Sequence, residues 1–135
     1  MVAVVDTGPL YAVVDEDDAD HERCRAALED ASYRLVIPAL IVAETTYLVG
    51  TRLGPKTEAR FLASLALMDV EMPAPEDWPR IAELVERYGD FPLGGADASV
   101  VALAERLGAE TIVTLDDRHF RAVRPKHRRA FRLIP

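Results

Sequence analysis

The sequence predicts an α/β fold, an α/β/α sandwich around a central, mostly parallel sheet. Three observations carry this reading. Val2 to Val5 is a short continuous run of apolar, mostly β-branched residues, the pattern of a strand covered on both faces. Runs of this kind alternate along the chain with stretches of helical periodicity, which is how a parallel sheet is threaded. The first run also stops abruptly at Asp6-Thr7-Gly8-Pro9, a junction suited to handing a strand over to a helix. The 135 residues fit one compact domain, residues 1–135, with no visible linker, repeat or low-complexity tract.

Each element has a local reason. After the first strand, Asp6 or Thr7 can cap a helix that Pro9 opens. The acidic stretch Asp15 to Asp20 leads into a helix over His21 to Ala31, and Leu35 to Ile37 reads as a second strand. Pro38 to Leu53 is helical and is closed by Gly54-Pro55, a stop followed by a new start. Phe61, Leu62, Leu65 and Met68 fall at helical spacing, so Lys56 to Met68 is read as one helix. Asp69 to Met72 is a weaker third strand. Trp78, Ile81, Val85 and Tyr88 predict an amphipathic helix over 76–88. Phe91 to Gly95 is a loop, Ala96 to Leu107 a helix ended by Gly108, and Thr111 to Leu115 a strand stopping at Asp116-Asp117. A basic tail follows Arg118-His119-Phe120, with a last short strand at Phe131 to Ile134.

Composition narrows the function classes. Half of the residues are hydrophobic, too many for a chain unable to offset its ordering entropy. The longest apolar run, Leu35 to Ala43, contains Pro38 and is far shorter than the ~20 residues of a spanning helix. The N-terminus has no positively charged stretch ahead of an apolar one, and Cys24 alone can form neither an intramolecular disulfide nor a Cys-rich metal site. A cytoplasmic protein without a membrane partner is expected. The formal net charge of -7 conceals an asymmetry: residues 118 to 135 carry seven bases and no acid, leaving 9 bases against 23 acids in residues 1 to 117. Such segregation suggests either a basic contact surface or a solvated tail.

The candidate chemistry is acidic. In open α/β sheets, ligands bind beyond the carboxyl ends of the strands. Asp6 and Asp116 both follow strands, and if these strands are neighbours their carboxylates can share a cation. Taken singly, Asp6 reads as a helix cap and Asp116 as a turn former. Glu44, with Leu40, Tyr47 and Leu48 around it on a helix, emerges from a stripe that looks like core. No Lys or Arg lies between Arg34 and Arg52 to pair with it, so a buried site is expected. Asp97 follows Gly94-Gly95 at a helix start, where capping would also explain it. Converging, the four acids would repel one another unless a divalent cation neutralised them. Oxygen-only ligands suit Mg2+ or Mn2+, and such a site suits phosphodiester hydrolysis by a metal-activated water. His21, His119 and His127 lack a zinc spacing and read as surface or packing residues.

The motifs VVDTGPLYA, IVAETTYL and GGADASVVALAERLGAETIVTLDDRHF, in this order over about residues 2 to 134, resemble a PIN domain, and more narrowly the short ribonuclease toxins of VapBC-type toxin-antitoxin pairs. The resemblance implies a PIN-type sandwich with a Mg2+- or Mn2+-holding acidic pocket. It assigns Asp6, Glu44, Asp97 and Asp116 to the catalytic metal site, Glu44 through water, with Thr7 and Thr114 orienting ligands. Asp117, directly after Asp116, competes with it for the fourth place, and chain order favours Asp116. The resemblance further implies cleavage of tRNA, rRNA or mRNA, a homodimer, and silencing by a small cognate antitoxin. Arg118, Arg121 and Arg124 are expected to contact RNA phosphates.

Two other readings stand beside it. An aspartate-based phosphotransfer domain also places Asp after its first strand. Here, however, no second Asp follows Asp6 at +2, and neither Lys56 nor Lys126 follows an apolar strand. A non-catalytic PIN-like domain binding RNA or protein is opposed only by the complete acidic set.

Overall fold

A computed structural model describes residues 1–135. Strands β1 (Val2–Val5), β2 (Arg34–Pro38), β3 (Val70–Glu71), β4 (Thr111–Val113) and β5 (Arg132–Ile134) form one sheet in the order β3-β2-β1-β4-β5. Every pairing is parallel. From β1 the chain winds outward through β2 to β3, then returns to β4 on the other side of β1. The winding direction therefore reverses between β1 and β4, and a crevice opens at their carboxyl ends. The register Val5↔Val113 aligns those ends, so the residues that follow them emerge side by side.

Helices α1 (Thr7–Ala12), α2 (His21–Leu28), α3 (Ala39–Leu53), α4 (Pro55–Ser64), α5 (Asp77–Arg87), α6 (Gly95–Leu107) and α7 (Asp117–Ala122) surround the sheet. Central β1 is buried from Ala3 to Val5, as a two-faced apolar run requires. In α6, every residue from Ala98 to Ala104 is buried, because this helix packs against β1, β2 and β4 on one side and α3 and α5 on the other. Its small residues allow that approach. Gly108, in the left-handed region at φ 66°, ends the helix as a C-cap glycine should. None of the helices is long and apolar enough to cross a membrane.

The departures from expectation are local. The stretch read as one helix over 56–68 divides into α4 and a 3-10 turn, Leu65–Leu67; Ser64 Oγ donates to the Phe61 carbonyl at 2.6 Å where the helix ends. Of the supposed inner stripe, only Phe61 is buried. In α5 the buried face is Asp77, Arg80, Ile81 and Leu84, whereas Trp78 and Val85 are exposed. Hydrophobicity misplaced this face because Arg80 is buried through pairing: its Nε donates to Glu105 Oε1 at 2.8 Å and its second terminal nitrogen to Glu105 Oε2 at 2.9 Å. The tail begins with a short helix, α7, which Asp116 caps by accepting the His119 N–H at 3.1 Å.

Candidate active site

The site is built where β1 and β4 end. Asp6 N–H donates to the Val113 carbonyl at 2.9 Å, extending the ladder by one residue and fixing Asp6 against Thr114. Thr114 Oγ1 then donates to Asp6 Oδ2 at 2.8 Å and accepts the Asp116 N–H at 2.9 Å. One hydroxyl thereby ties together the two carboxylate-bearing strand ends. Gly8 lets α1 approach them: a β-carbon there would lie 3.3 Å from Leu115 Cβ.

Asp6 is only 5% exposed and does not cap α1, so the capping explanation of this residue fails. Its Oδ1 and the Thr7 hydroxyl are buried without a hydrogen-bond partner. Burial pushes the Asp6 carboxyl up to about 6. The Thr114 and Thr7 donors partly offset that shift, and the charges of Asp97 and Glu44 add to it. Asp97, in the first turn of α6, is also raised, first by burial and then by the charge of Glu44.

Asp6, Thr7, Gly8, Glu44, Asp97, Leu115 and Asp116 line one concavity of about 280 Å³. The four acids singled out by sequence thus share a single wall, although they lie on four different segments of the chain. Glu44 reaches it differently from the expectation. It is exposed, because the buried face of α3 is Ile41, Thr45 and Val49, and the stripe of Leu40, Tyr47 and Leu48 around it is turned outward. Neighbouring stripes on a helix rich in apolar residues look alike in sequence, and packing chooses between them. Asp117 lies outside the concavity, exposed and paired with Arg121 at 3.2 Å.

His119 was missed. Its Nδ1 contacts Asp116 Oδ2 and its Nε2 lies 3.1 Å from the Pro92 carbonyl, while Phe91 packs edge-on against the ring. Both nitrogens face acceptor oxygens, an arrangement that the doubly protonated ring satisfies. The signal in sequence was the i,i+3 spacing from Asp116, which becomes legible only once α7 is recognised as a helix. The basic candidates are spread out: Arg118 stacks over Phe91 at 5.0 Å, Arg121 is paired, and Arg124 donates its backbone N–H to Tyr88.

A larger concavity of about 630 Å³, lined mainly by apolar residues including Leu28, Leu35 and Leu67, lies elsewhere. Size alone would favour it. The smaller one holds the convergent polar groups and the perturbed carboxyls, and it sits where the sheet's winding reverses. Its donors are oxygens only, with one buried and unpaired on Asp6, which fits a hard cation. No three Asp, Glu, His or Cys side chains form a preformed cage. That suits an ion which keeps several waters and takes one or two carboxylates.

Residues 3–125 match the PIN domain family model. The chain is 36% identical over 134 residues to Ribonuclease VapC26 of Mycobacterium tuberculosis, covering 98% of this chain and 99% of that protein. Its fold is similar to crystal structures of Mycobacterium tuberculosis VapC20, a Sarcin-Ricin loop cleaving toxin (TM-score 0.75, 19% identity, 83% of this chain and 87% of that one), and of VapBC2 from Rickettsia felis bound to a promoter DNA fragment (TM-score 0.72, 14% identity, all of both chains). The acidic crevice between β1 and β4, the all-parallel order and the matched residues agree: this chain belongs to the PIN domain family.

Proposed function

We propose that the protein is a divalent-metal-dependent endoribonuclease, the toxin of a type II toxin-antitoxin pair, hydrolysing RNA phosphodiester bonds at the crevice between β1 and β4. The observation that carries the reading is the Asp6 carboxylate, buried with Oδ1 unpaired, in a concavity whose other ionisable groups are Glu44, Asp97 and Asp116. The relative named as a ribonuclease, similar along almost its whole length, supports the same conclusion.

Asp6, Asp97 and Asp116 are the residues that hold Mg2+ or Mn2+, with Glu44 at the rim. When bound, the cation supplies charge neutralisation for phosphate and acidifies water for in-line attack. The chain's own groups prepare the site. Thr114 holds the Asp6 carboxylate and orients the Asp116 backbone, while Thr7 offers a hydroxyl at the pocket wall. His119 restrains the Asp116 carboxylate from the opposite side. Arg118, held over Phe91 beside this cluster, is placed to meet RNA phosphate, with Arg121 and Arg124 further along. The partners are RNA, a small cognate antitoxin and a second copy of the chain. Exposed Tyr47 and Trp78 supply apolar surface for protein contact.

The test is cleavage of purified total RNA with Mg2+ or Mn2+ and mapping of new ends. The wild type yields discrete new ends that Asp97→Ala does not, with both proteins folded. Unaltered RNA with either cation contradicts the reading.

A further inference from the structure

The basic tail does not gather at the acidic crevice. It descends from that crevice to the opposite end of the sheet. Arg118 lies at the start of α7, beside Phe91 and the His119–Asp116 contact. Lys126 donates its backbone N–H to Glu105 Oε2 at 2.6 Å, near the far end of α6. His127 Nε2 donates to the Ala109 carbonyl at 2.7 Å, and Arg128 pairs with Glu110 just before β4 begins. Asp97 and Glu105 are separated by eight residues of helix, about 12 Å. Thr111 and Asp116 are separated by five nearly extended residues, about 17 Å. Residues 124–129 therefore form a basic pole well away from the carboxylates.

This pole is built differently from the rest of the protein's basic surface. Of the nine Lys and Arg residues before residue 118, six are in ion pairs with carboxylates. Of the seven from residue 118 onward, only Arg121 and Arg128 are. Arg124, Lys126, His127, Arg128 and Arg129 line a concavity of about 520 Å³ with no hydrophobic side chain in its wall. The loop is anchored from beneath: Pro125 is buried, and the His127 ring packs against Phe131. Unpaired positive charge on an anchored loop, on a protein negative elsewhere, selects a polyanion and not an apolar ligand.

We propose that this pole is a second RNA-binding site, continuous with Arg118 and Arg121, which holds the phosphate backbone of the substrate several nucleotides from the bond that is cut. The inference rests on the ribonuclease reading and adds a substrate class to it. The preferred RNA is long or folded enough to reach across about 12–17 Å of protein, some four or five stacked nucleotides at about 3.4 Å each. A short oligonucleotide that fills only the acidic crevice forgoes these contacts. Because the contacts are to phosphate, they add affinity and fix register without reading bases.

The experiment compares two RNAs around a mapped cut site, one of about six nucleotides and one extended by about twenty on each side, for the wild type and for Lys126→Gln/Arg128→Gln/Arg129→Gln. Binding is measured by fluorescence anisotropy in the Asp97→Ala background, with a melting curve to establish that the variant is folded. The ratio of long-RNA to short-RNA affinity falls about tenfold in the variant. The slope of log Kd against log salt for the long RNA becomes shallower by about 2, at about 0.7 per lost single-strand contact. Equal weakening of both RNAs, or none, overturns the proposal. So does loss of antitoxin affinity with RNA affinity intact, which would assign the pole to a protein partner. If both RNAs bind but wild-type protein cuts neither with Mg2+ or Mn2+, the ribonuclease reading fails while the second site stands.

Discussion

The Thr114 hydroxyl donates to Asp6 Oδ2 at 2.8 Å, joining residues 108 apart in sequence across one inter-strand spacing. The bond exists because β1 and β4 are parallel neighbours in register, and it makes Thr114 a support of the acidic crevice. Thr114→Val keeps the shape and removes the donor from a buried carboxylate. Urea unfolding at pH 7 should show a loss of about 1–3 kcal/mol, and Thr114→Ser should recover most of it. Equal stability of the Val variant and the wild type would remove Thr114 from this role.

The Asp6 carboxyl, raised from 3.8 to about 6, makes a definite contribution to pH dependence. The native state holds a proton that the unfolded state releases at lower pH. The group therefore costs nothing below about pH 4, and its penalty grows as pH rises to about 6 and then levels off, reaching on the order of 3 kcal/mol. Asp6→Asn removes the penalty. In metal-free buffer the variant should gain stability over the wild type from pH 4 to 6 and keep that advantage at pH 7. A difference independent of pH would mean that Asp6 titrates like an exposed carboxylate.

Divalent cation should act on the same group. Mg2+ or Mn2+ in millimolar excess should raise the wild-type melting temperature at pH 7, since a ligand of the native state stabilises by mass action. The shift should be smaller in Asp6→Asn and Asp97→Ala. An equal shift in all three proteins would place cation binding elsewhere.

The Arg80–Glu105 pair is the other buried charge feature, each side chain about one-tenth exposed. Arg80→Leu leaves Glu105 partly buried without its fork of donors, and a loss of about 3–5 kcal/mol is expected from chemical denaturation. Glu105 also accepts the Lys126 N–H, so Glu105→Ala should loosen the basic loop as well, seen as faster amide exchange at Lys126. Unchanged exchange there would show that the loop is held by its other anchors.

Much of the architecture was legible because parallel strands and their handovers leave strong local marks. The β-branched run of β1, the Gly54-Pro55 break and Gly108 each placed a boundary near its observed position. What sequence could not supply was the choice between adjacent helix faces. In α3, Ile41, Thr45 and Val49 face inward and Glu44 outward; in α5, Arg80 is inside and Trp78 outside. Tertiary packing and a long-range ion pair decide both, and neither leaves a local trace. The acids were found by their positions after strands and at a helix start. His119 was not, because α7 had been read as tail.

The separation of Asp116 from Asp117 shows the same division. Chain order preferred Asp116. The structure supplies the reason, since the Thr114 hydroxyl and the α7 cap hold Asp116 at the crevice while Asp117 turns outward to Arg121. Asp117→Ala should therefore leave cation-induced stabilisation intact, whereas Asp116→Ala should reduce it, as read from melting curves with and without Mn2+. The reverse ranking would move the fourth acid to Asp117.

The most direct measurement maps RNA ends after incubation of total RNA with the purified protein and Mg2+ or Mn2+, beside Asp97→Ala and a chelator control. The account predicts discrete new ends that require both the cation and Asp97, with the variant as well folded as the wild type. RNA that stays intact with the folded wild type, or ends that persist in Asp97→Ala or in chelator, would contradict it.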